Sequence, residues 1–254
     1  MRSNPLIGKL QKGEPVFGPF ILELASPGLP QIFESAGADF ITYDQEAGCL
    51  DIGTLKNQLA LTRKLDIVPI VNPPGQEQHL LALPLDCGAL GLLVPLVQNR
   101  EQAEAVVRST TYPPGGSRGV ATGIAHDDYG SEELEQAIRI ANERTLRAVK
   151  IETVQAIENV EEIAAVQGIH VAFLGHMDLS VSLGIPGQYA HKSFAAAVAR
   201  LVAACRRHGK WAGCLAATPD VARQRLAEGF RFINFSTDVL LLASGFKAGI
   251  AGLR

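Results

Sequence analysis

The feature that most constrains this chain is a repeated alternation. Short, almost wholly apolar runs are each followed by a polar-punctuated loop and then a helical pattern, through the whole sequence. The runs fall at residues 16–22, 40–43, 67–71, 91–94, 147–151, 170–174, 210–214 and 232–235. A strand with one solvated face would alternate; unbroken apolar runs are what parallel strands need when both faces are covered. Helical patterns occupy 28–36, 54–64, 77–87, 100–110, 154–166, 194–208 and 219–228. In 154–166, Val154, Ile157, Val160, Ile163 and Ala164 share one stripe, with Glu158, Glu161 and Glu162 off it. Strands alternating with helices imply a parallel sheet joined by right-handed crossovers. Eight such units in 254 residues predict an α/β fold, a single (β/α)8 TIM barrel over residues 1–254. A doubly wound sheet is the competitor, and it needs only about six strands.

Composition narrows the function classes. At 47% hydrophobic residues, with no long charge run, the chain is expected to fold rather than stay disordered. The net charge of -3 argues against a nucleic-acid partner, which calls for a basic face. No uncharged stretch reaches the roughly 18 residues of a membrane span, and Met1-Arg2-Ser3-Asn4-Pro5 lacks the apolar core of a signal peptide. Cys49, Cys87, Cys205 and Cys214 have no CxxC spacing, so idle thiols in a reducing cytoplasm are expected rather than zinc ligands or disulfides.

In a barrel, chemistry gathers where strands end. There the sequence places Asp44 and Glu46, then Asn72, Lys150 and Glu152, and finally Gly175-His176-Met177-Asp178 and Ser236-Thr237-Asp238. Carboxylates converging on one face repel one another unless a cation joins them. Glu152 and Asp178, at adjacent strand ends, suit a hard divalent ion that leaves positions open for water and substrate. Plainer roles stand beside these: Asp178 capping a short helix, Glu152 paired with Lys150 or Arg118, Asp44 and Glu46 as solvated loop charges. Ser236-Thr237-Asp238 reads first as a helix cap, with an anion site as the alternative. His79, His126, His170, His191 and His208 show no metal-ligand spacing, whereas His176 shares its loop with Asp178. The stretch 111–131, with Pro113-Pro114-Gly115-Gly116 and Arg118-Gly119, breaks the rhythm, and a loop that long is expected to be functional. An extra helix is predicted over 132–144.

These strand-end residues join into a pattern. Gly91-Leu92-Leu93-Val94-Pro95-Leu96-Val97-Gln98-Asn99, Tyr112-Pro113-Pro114-Gly115-Gly116-Ser117-Arg118-Gly119, Ile151-Glu152-Thr153 and Asp178-Leu179-Ser180 resemble the HpcH/HpaI aldolase family, in order and spacing, from Gly18 to Leu242. The resemblance implies a (β/α)8 barrel assembled as a dimer of trimers with an exchanged C-terminal helix. It also implies a metal-dependent class II aldolase that handles 2-keto-3-deoxy acids through a pyruvate enolate. Glu152 and Asp178 match the family's metal ligands, and the ion expected is Mg²⁺ or Mn²⁺, with Co²⁺ a further choice. Asp86 matches the acidic partner of the family's catalytic base, Asp44-x-Glu46 its loop after the second strand, and Arg118 a loop arginine, read here as pinning the long excursion.

The departures matter as much. Where the family motif reads Asp-x-Glu-His, this chain has Ala47, so the usual acid/base is missing. The arginine that ends the third strand and stabilises the enolate is Asn72. Gly175-His176-Met177-Asp178 replaces Gly-Pro-Ala-Asp, and Lys150 stands in a glutamine's place. Losing an acid/base costs about 10²–10⁴-fold in rate. His176 and Lys150 are the candidates to restore a proton carrier and a positive charge, unless both are drift at a relaxed site. The expected catalytic set is therefore Asp86, His176, Lys150, Asn72 and Glu46, with Gly175, Met177 and Asp178 contacting substrate. A Schiff-base role for Lys150 is poorly motivated while both metal carboxylates remain. The expected function is a metal-dependent carbon–carbon lyase acting on a small 2-oxo acid. A decarboxylating or bond-forming enzyme, or a metal- or keto-acid-binding protein, are the alternatives. The apolar run 239–246 predicts a last helix used in a homohexamer, or failing that a trimer.

Overall fold

The computed structural model describes residues 1–48 and 50–253. Eight strands form a closed parallel barrel in which each pairs with the next and the last with the first. They are β1 (Val16–Ile21), β2 (Phe40–Asp44), β3 (Val68–Asn72), β4 (Gly91–Val94), β5 (Leu146–Ile151), β6 (Val171–Leu174), β7 (Trp211–Ala216) and β8 (Phe230–Thr237). The helices are α1 (Pro5–Gln11), α2 (Leu29–Ser35), α3 (Ile52–Leu61), α4 (Gln78–Asp86), α5 (Arg100–Thr110), α6 (Leu134–Arg144), α7 (Val154–Glu158), α8 (Val160–Ala165), α9 (His176–Ser182), α10 (Lys192–Arg207), α11 (Pro219–Glu228) and α12 (Asp238–Gly249). The TIM barrel read from the alternation is the fold.

Period-two alternation sends every second side chain of each strand into the barrel. At the N-terminal end those positions are apolar. Val16, Phe20, Phe40, Val68, Leu146, Val171 and Phe232 form one buried cluster, with Phe40 stacked on Phe232 at 4.3 Å between ring centroids. Helix α1, which the sequence reading left unassigned, closes that end. Asn4 caps it and donates from Nδ2 to the carbonyls of Leu90 and Arg144, while Leu6 and Leu10 join the cluster. The outward-facing residues pack under the helical ring in a second, larger cluster. Gly18 allows the closest strand approach, since a Cβ there would lie 2.1 Å from the Phe40 carbonyl oxygen.

One expectation changes on the outside of the barrel. The helix expected over 154–166 breaks at Asn159, whose Nδ2 donates to the Gln98 carbonyl at 2.9 Å. The apolar stripe continues across the break, so periodicity alone could not reveal it. The excursion at 111–131 packs against α4, with Gln78 Nε2 donating to the Ser117 carbonyl at 2.9 Å, and the His126 carbonyl accepts from Arg144 at the end of α6. Arg118 is only 3% exposed there, 2.6 Å from Asp86 and stacked 4.5 Å over the Tyr112 ring, which is the pinning role expected of it. Cys87, Cys205 and Cys214 are buried and unbridged, and burial pushes the thiols of Cys205 and Cys214 up to about 12. Cys49 lies outside the described residues.

Candidate active site

At the C-terminal mouth the inward positions turn polar. Asp44 and Asn72 sit opposite each other at the ends of β2 and β3, and Lys150 points in from β5 with Glu152 one step beyond. Asp44, only 2% exposed, is not a solvated loop charge. Its carboxylate accepts the backbone N–H groups of Glu46 (3.0 Å), Ala47 (3.2 Å) and Gly48 (3.1 Å), together with the Asn72 amide. Gly48 makes this turn possible, because a Cβ would lie 2.4 Å from the Asp44 carbonyl oxygen.

Asn72 spends both amide hydrogens on carboxylates, one on Asp44 and one on Glu46 Oε2 at 3.0 Å. Glu46 Oε2 also accepts from Lys150 Nζ at 2.5 Å. Asn72 therefore has no donor left for a substrate oxygen, and the cation at this wall of the mouth is Lys150. Glu152 pairs with neither Lys150 nor Arg118, the two partners the sequence offered. Its Oε1 accepts the Leu96 N–H at 2.7 Å. Leu96 holds a left-handed backbone (φ 55°), unfavourable for a non-glycine residue, which directs that N–H at the carboxylate. Burial pushes the Glu152 carboxyl above the usual carboxylate range; Lys150 and the Leu96 N–H pull it down, and Glu46 and Asp178 add to the rise.

The sixth strand end completes the arrangement. Gly175 packs against Glu152 so closely that a Cβ would fall 2.5 Å from Oε2. That oxygen makes no hydrogen bond among the described residues. Asp178 is exposed in the first turn of α9; the N-cap of that helix is Gly175, so Asp178 is not its cap. A buried carboxylate with one bound and one open oxygen, a cradle kept clear by glycine, and a second carboxylate within Coulombic range make a donor set that fits a hard divalent cation. Among the described residues no group of three or more His, Cys, Asp and Glu is placed to hold an ion, so an ion here would draw its remaining ligands from water and substrate.

Two residues expected in the catalytic set lie elsewhere. Asp86 ends α4, which runs back to the N-terminal end of the barrel, and within this chain it pairs with Arg118 instead of joining the mouth. His176 leans on Tyr189, 5.2 Å between ring centroids, in a cavity of about 350 Å³ beside α11. Burial and the Arg225 guanidinium lower its pKa, against Asp178, which raises it. Met177 is exposed on the same turn. Thr237 caps α12, accepting the Leu240 N–H at 3.2 Å. Asp238 then binds the backbone N–H groups of Leu22, Glu23 and Leu24, which leaves a carboxylate where the anion alternative needed positive potential. Leu96 enters the sequence reading only as part of the 91–99 motif; its backbone role is not legible there, because a non-glycine residue at positive φ has no signature in composition or spacing.

A barrel with its polar, ion-ready layer at the strand C-termini and an apolar plug at the other end is an enzyme of the TIM-barrel class. The family model described as HpcH/HpaI aldolase/citrate lyase matches residues 20–244. Among characterised relatives, a 2-keto-3-deoxy-L-rhamnonate aldolase of Escherichia coli is 33% identical over 259 aligned residues, covering 99% of this chain and 96% of the relative. A hydroxypyruvate/pyruvate aldolase of Paraburkholderia phytofirmans is 33% identical, covering 99% and 98%. The crystal structure of a family member from Burkholderia cenocepacia superposes with a TM-score of 0.92 at 30% identity, covering 99% of this chain and all of the other. The chain belongs to the HpcH/HpaI aldolase/citrate lyase family, and is a carbon–carbon lyase of the aldolase type, a family in which divalent-metal dependence is typical.

Proposed function

We propose that this lyase cleaves or forms the bond between C3 and C4 of a small 4-hydroxy-2-oxo acid, with Glu152 and Asp178 holding a divalent ion at the barrel mouth. The observation that carries the reading is the open Oε2 of Glu152 beside the Gly175 cradle. Mg²⁺ or Mn²⁺, with Co²⁺ as a further choice, would supply Lewis-acid stabilisation of the enolate oxygen when bound. The chain's own residues supply the rest. Lys150 sets its ammonium beside Glu152 and offers the positive charge that Asn72 cannot. Glu46, tethered through Oε2 to Lys150 and Asn72, keeps Oε1 free of hydrogen bonds among the described residues. In cleavage, Glu46 Oε1 takes the proton of the C4 hydroxyl as the C3–C4 bond breaks, and then returns a proton to C3 of the three-carbon product.

A second reading has its own observation. Ala47 and the committed amide of Asn72 remove the family's base and its arginine, and decarboxylation of an oxaloacetate-like acid needs an enolate stabiliser but no such base. Turnover of 4-hydroxy-2-oxo acids and of oxaloacetate, each with Mg²⁺, Mn²⁺ and Co²⁺, tests both. Metal-dependent release of pyruvate from the hydroxy acids is expected; release from oxaloacetate alone would favour decarboxylation, and release from neither would leave a binding protein.

The assembly reading is a homohexamer, with a trimer second. It is supported by α12, which exposes Val239, Leu240, Leu242 and Phe246, and light scattering that gives a monomer at micromolar concentration would overturn it. Among the described residues no helix is long and apolar enough to cross a membrane; the cytoplasm is the compartment we propose.

A further inference from the structure

Helix α12 and the barrel mouth are joined by one carboxylate. Strand β8 carries one residue more than β1 near its end: Gly18 pairs with Asn234, but Phe20 pairs with Thr237. Between those pairs lies Ser236, which holds a left-handed backbone (φ 62°) although it is buried and not a glycine. A bulge of this kind re-aims the side chains that follow it. Here it brings Asp238, the first residue of α12 and only 2% exposed, level with the chain that leaves β1.

Asp238 spends both oxygens there. Oδ1 accepts the N–H groups of Leu22 at 3.1 Å and of its own neighbour Val239 at 2.9 Å. Oδ2 accepts those of Glu23 at 2.9 Å and Leu24 at 2.7 Å. A carboxylate only accepts, and it has room for this many bonds. An amide of the same shape would turn its NH2 group toward two N–H donors whichever way it was placed, and leave them unpaired. The segment so held touches the turn that carries Glu46. A Cβ on Gly48 would fall 2.8 Å from the Leu22 carbonyl oxygen, so the two loops meet at that point. The Gly48 N–H, with those of Glu46 and Ala47, closes on Asp44. Leu22 packs on the cluster inside the barrel, and the Ser26 carbonyl further along accepts from Gln58 Nε2 of α3 at 3.2 Å. The loop after β1 is therefore backed by the core on one side and pinned at its start by Asp238.

We infer that Asp238 is a positioning residue for the mouth: by fixing residues 22–24 it buttresses the 44–48 turn and holds Glu46 in place beside Lys150. This rests on the lyase reading above for the role of Glu46. Because Asp238 also opens α12, the seating of that helix and the placement of the proton carrier share one anchor.

Amide hydrogen exchange reads the buttress, and steady-state kinetics read its consequence. Wild type, Asp238→Asn, Asp238→Glu and Thr237→Val are compared with Mn²⁺ present and 4-hydroxy-2-oxopentanoate as substrate. Thr237→Val removes the α12 cap and leaves the Asp238 carboxylate in place. Asp238→Asn is expected to speed exchange of the Glu46, Ala47 and Gly48 amides about tenfold or more, with those of Ile70 and Val71 on β3 unchanged. It is expected to lower kcat about tenfold, with KM and Mn²⁺ affinity within about twofold of wild type and an unchanged assembly mass. Asp238→Glu keeps the acceptor oxygens and is expected to shift both readouts the same way by less; it carries the comparison if Asp238→Asn does not fold. Thr237→Val should match wild type in both. Faster exchange confined to residues 22–24, a kcat loss that Thr237→Val reproduces, or faster exchange at the turn with kcat unchanged would each overturn the inference while wild-type turnover keeps the lyase reading intact. If wild type turns over no hydroxy acid, the lyase reading fails, and the exchange pattern alone decides whether Asp238 holds the turn.

Discussion

The two ends of this barrel are built by one alternation and filled with opposite chemistry. At the N-terminal end, inward positions carry Phe40, Val68, Leu146 and Phe232 and are sealed by Leu6 and Leu10. Four residues further along three of these strands, the inward positions are Asp44, Asn72 and Lys150. The difference teaches where each kind of free energy sits. The lower layer stabilises by removing apolar surface from water, at about 25 cal/mol per Å². The upper layer takes on the desolvation of a buried carboxylate, Glu152, and keeps one of its oxygens uncommitted. The ion pairs make the same contrast. Arg118–Asp86 (2.6 Å) fastens a loop to a helix at the lower end, whereas Lys150–Glu46 (2.5 Å) sets two ionisable groups near the buried Glu152 carboxylate.

The largest test of that division is Phe40→Ala. It removes the stacked ring at the sealed end and is expected to cost about 3–5 kcal/mol of stability, read by chemical denaturation. Turnover per folded molecule should change less than twofold. A parallel loss of activity would mean the two ends are coupled.

Next is restoration at the mouth. Ala47→His with Asn72→Arg should raise retro-aldol turnover of a 4-hydroxy-2-oxo acid about 10-fold or more. The introduced arginine would meet Asp44 and Glu46, which Asn72 now bridges, but also the Lys150 ammonium, so the pair should also be made with Lys150→Gln. If the native protein already matches the restored variants, Ala47 and Asn72 are not deficits and the Glu46–Lys150 pair is sufficient.

The smallest effect is a pH signature of the metal-free protein. Burial raises the Glu152 carboxyl pKa in the folded state, so the folded chain holds that proton more tightly than the unfolded one. The associated stability is present in full below the ordinary carboxylate range and is lost as pH rises through the raised pKa. Glu152→Gln should therefore leave the melting temperature unchanged at low pH and raise it at neutral pH without metal. A variant less stable than wild type at neutral pH would contradict the burial argument.

Much of this was legible in the sequence, for identifiable reasons. Eight apolar runs specified eight strands because burial on both faces leaves no room for polar residues, and the strand ends directed attention to Asn72, Lys150, Glu152 and Asp178. The pairings at those ends were not legible. Glu46 and Lys150 meet across 104 positions in the chain, and only the closed barrel decides that Lys150 turns to Glu46 rather than Glu152. Asp86 matched a family position, yet the direction of α4 carries it to the far end of the barrel. His176 shares a loop with Asp178, but on α9 its ring turns to Tyr189. Helix α1 escaped notice because a short capped segment has too little periodicity to stand out.

The central claim is that Glu152 and Asp178 together hold a divalent ion at the mouth. Calorimetric titration of Mn²⁺ into wild type, Glu152→Ala and Asp178→Ala tests it most directly. One ion per chain is expected for wild type, and no measurable binding for either variant, with lyase activity lost in both. Full-affinity binding in either variant would contradict the claim.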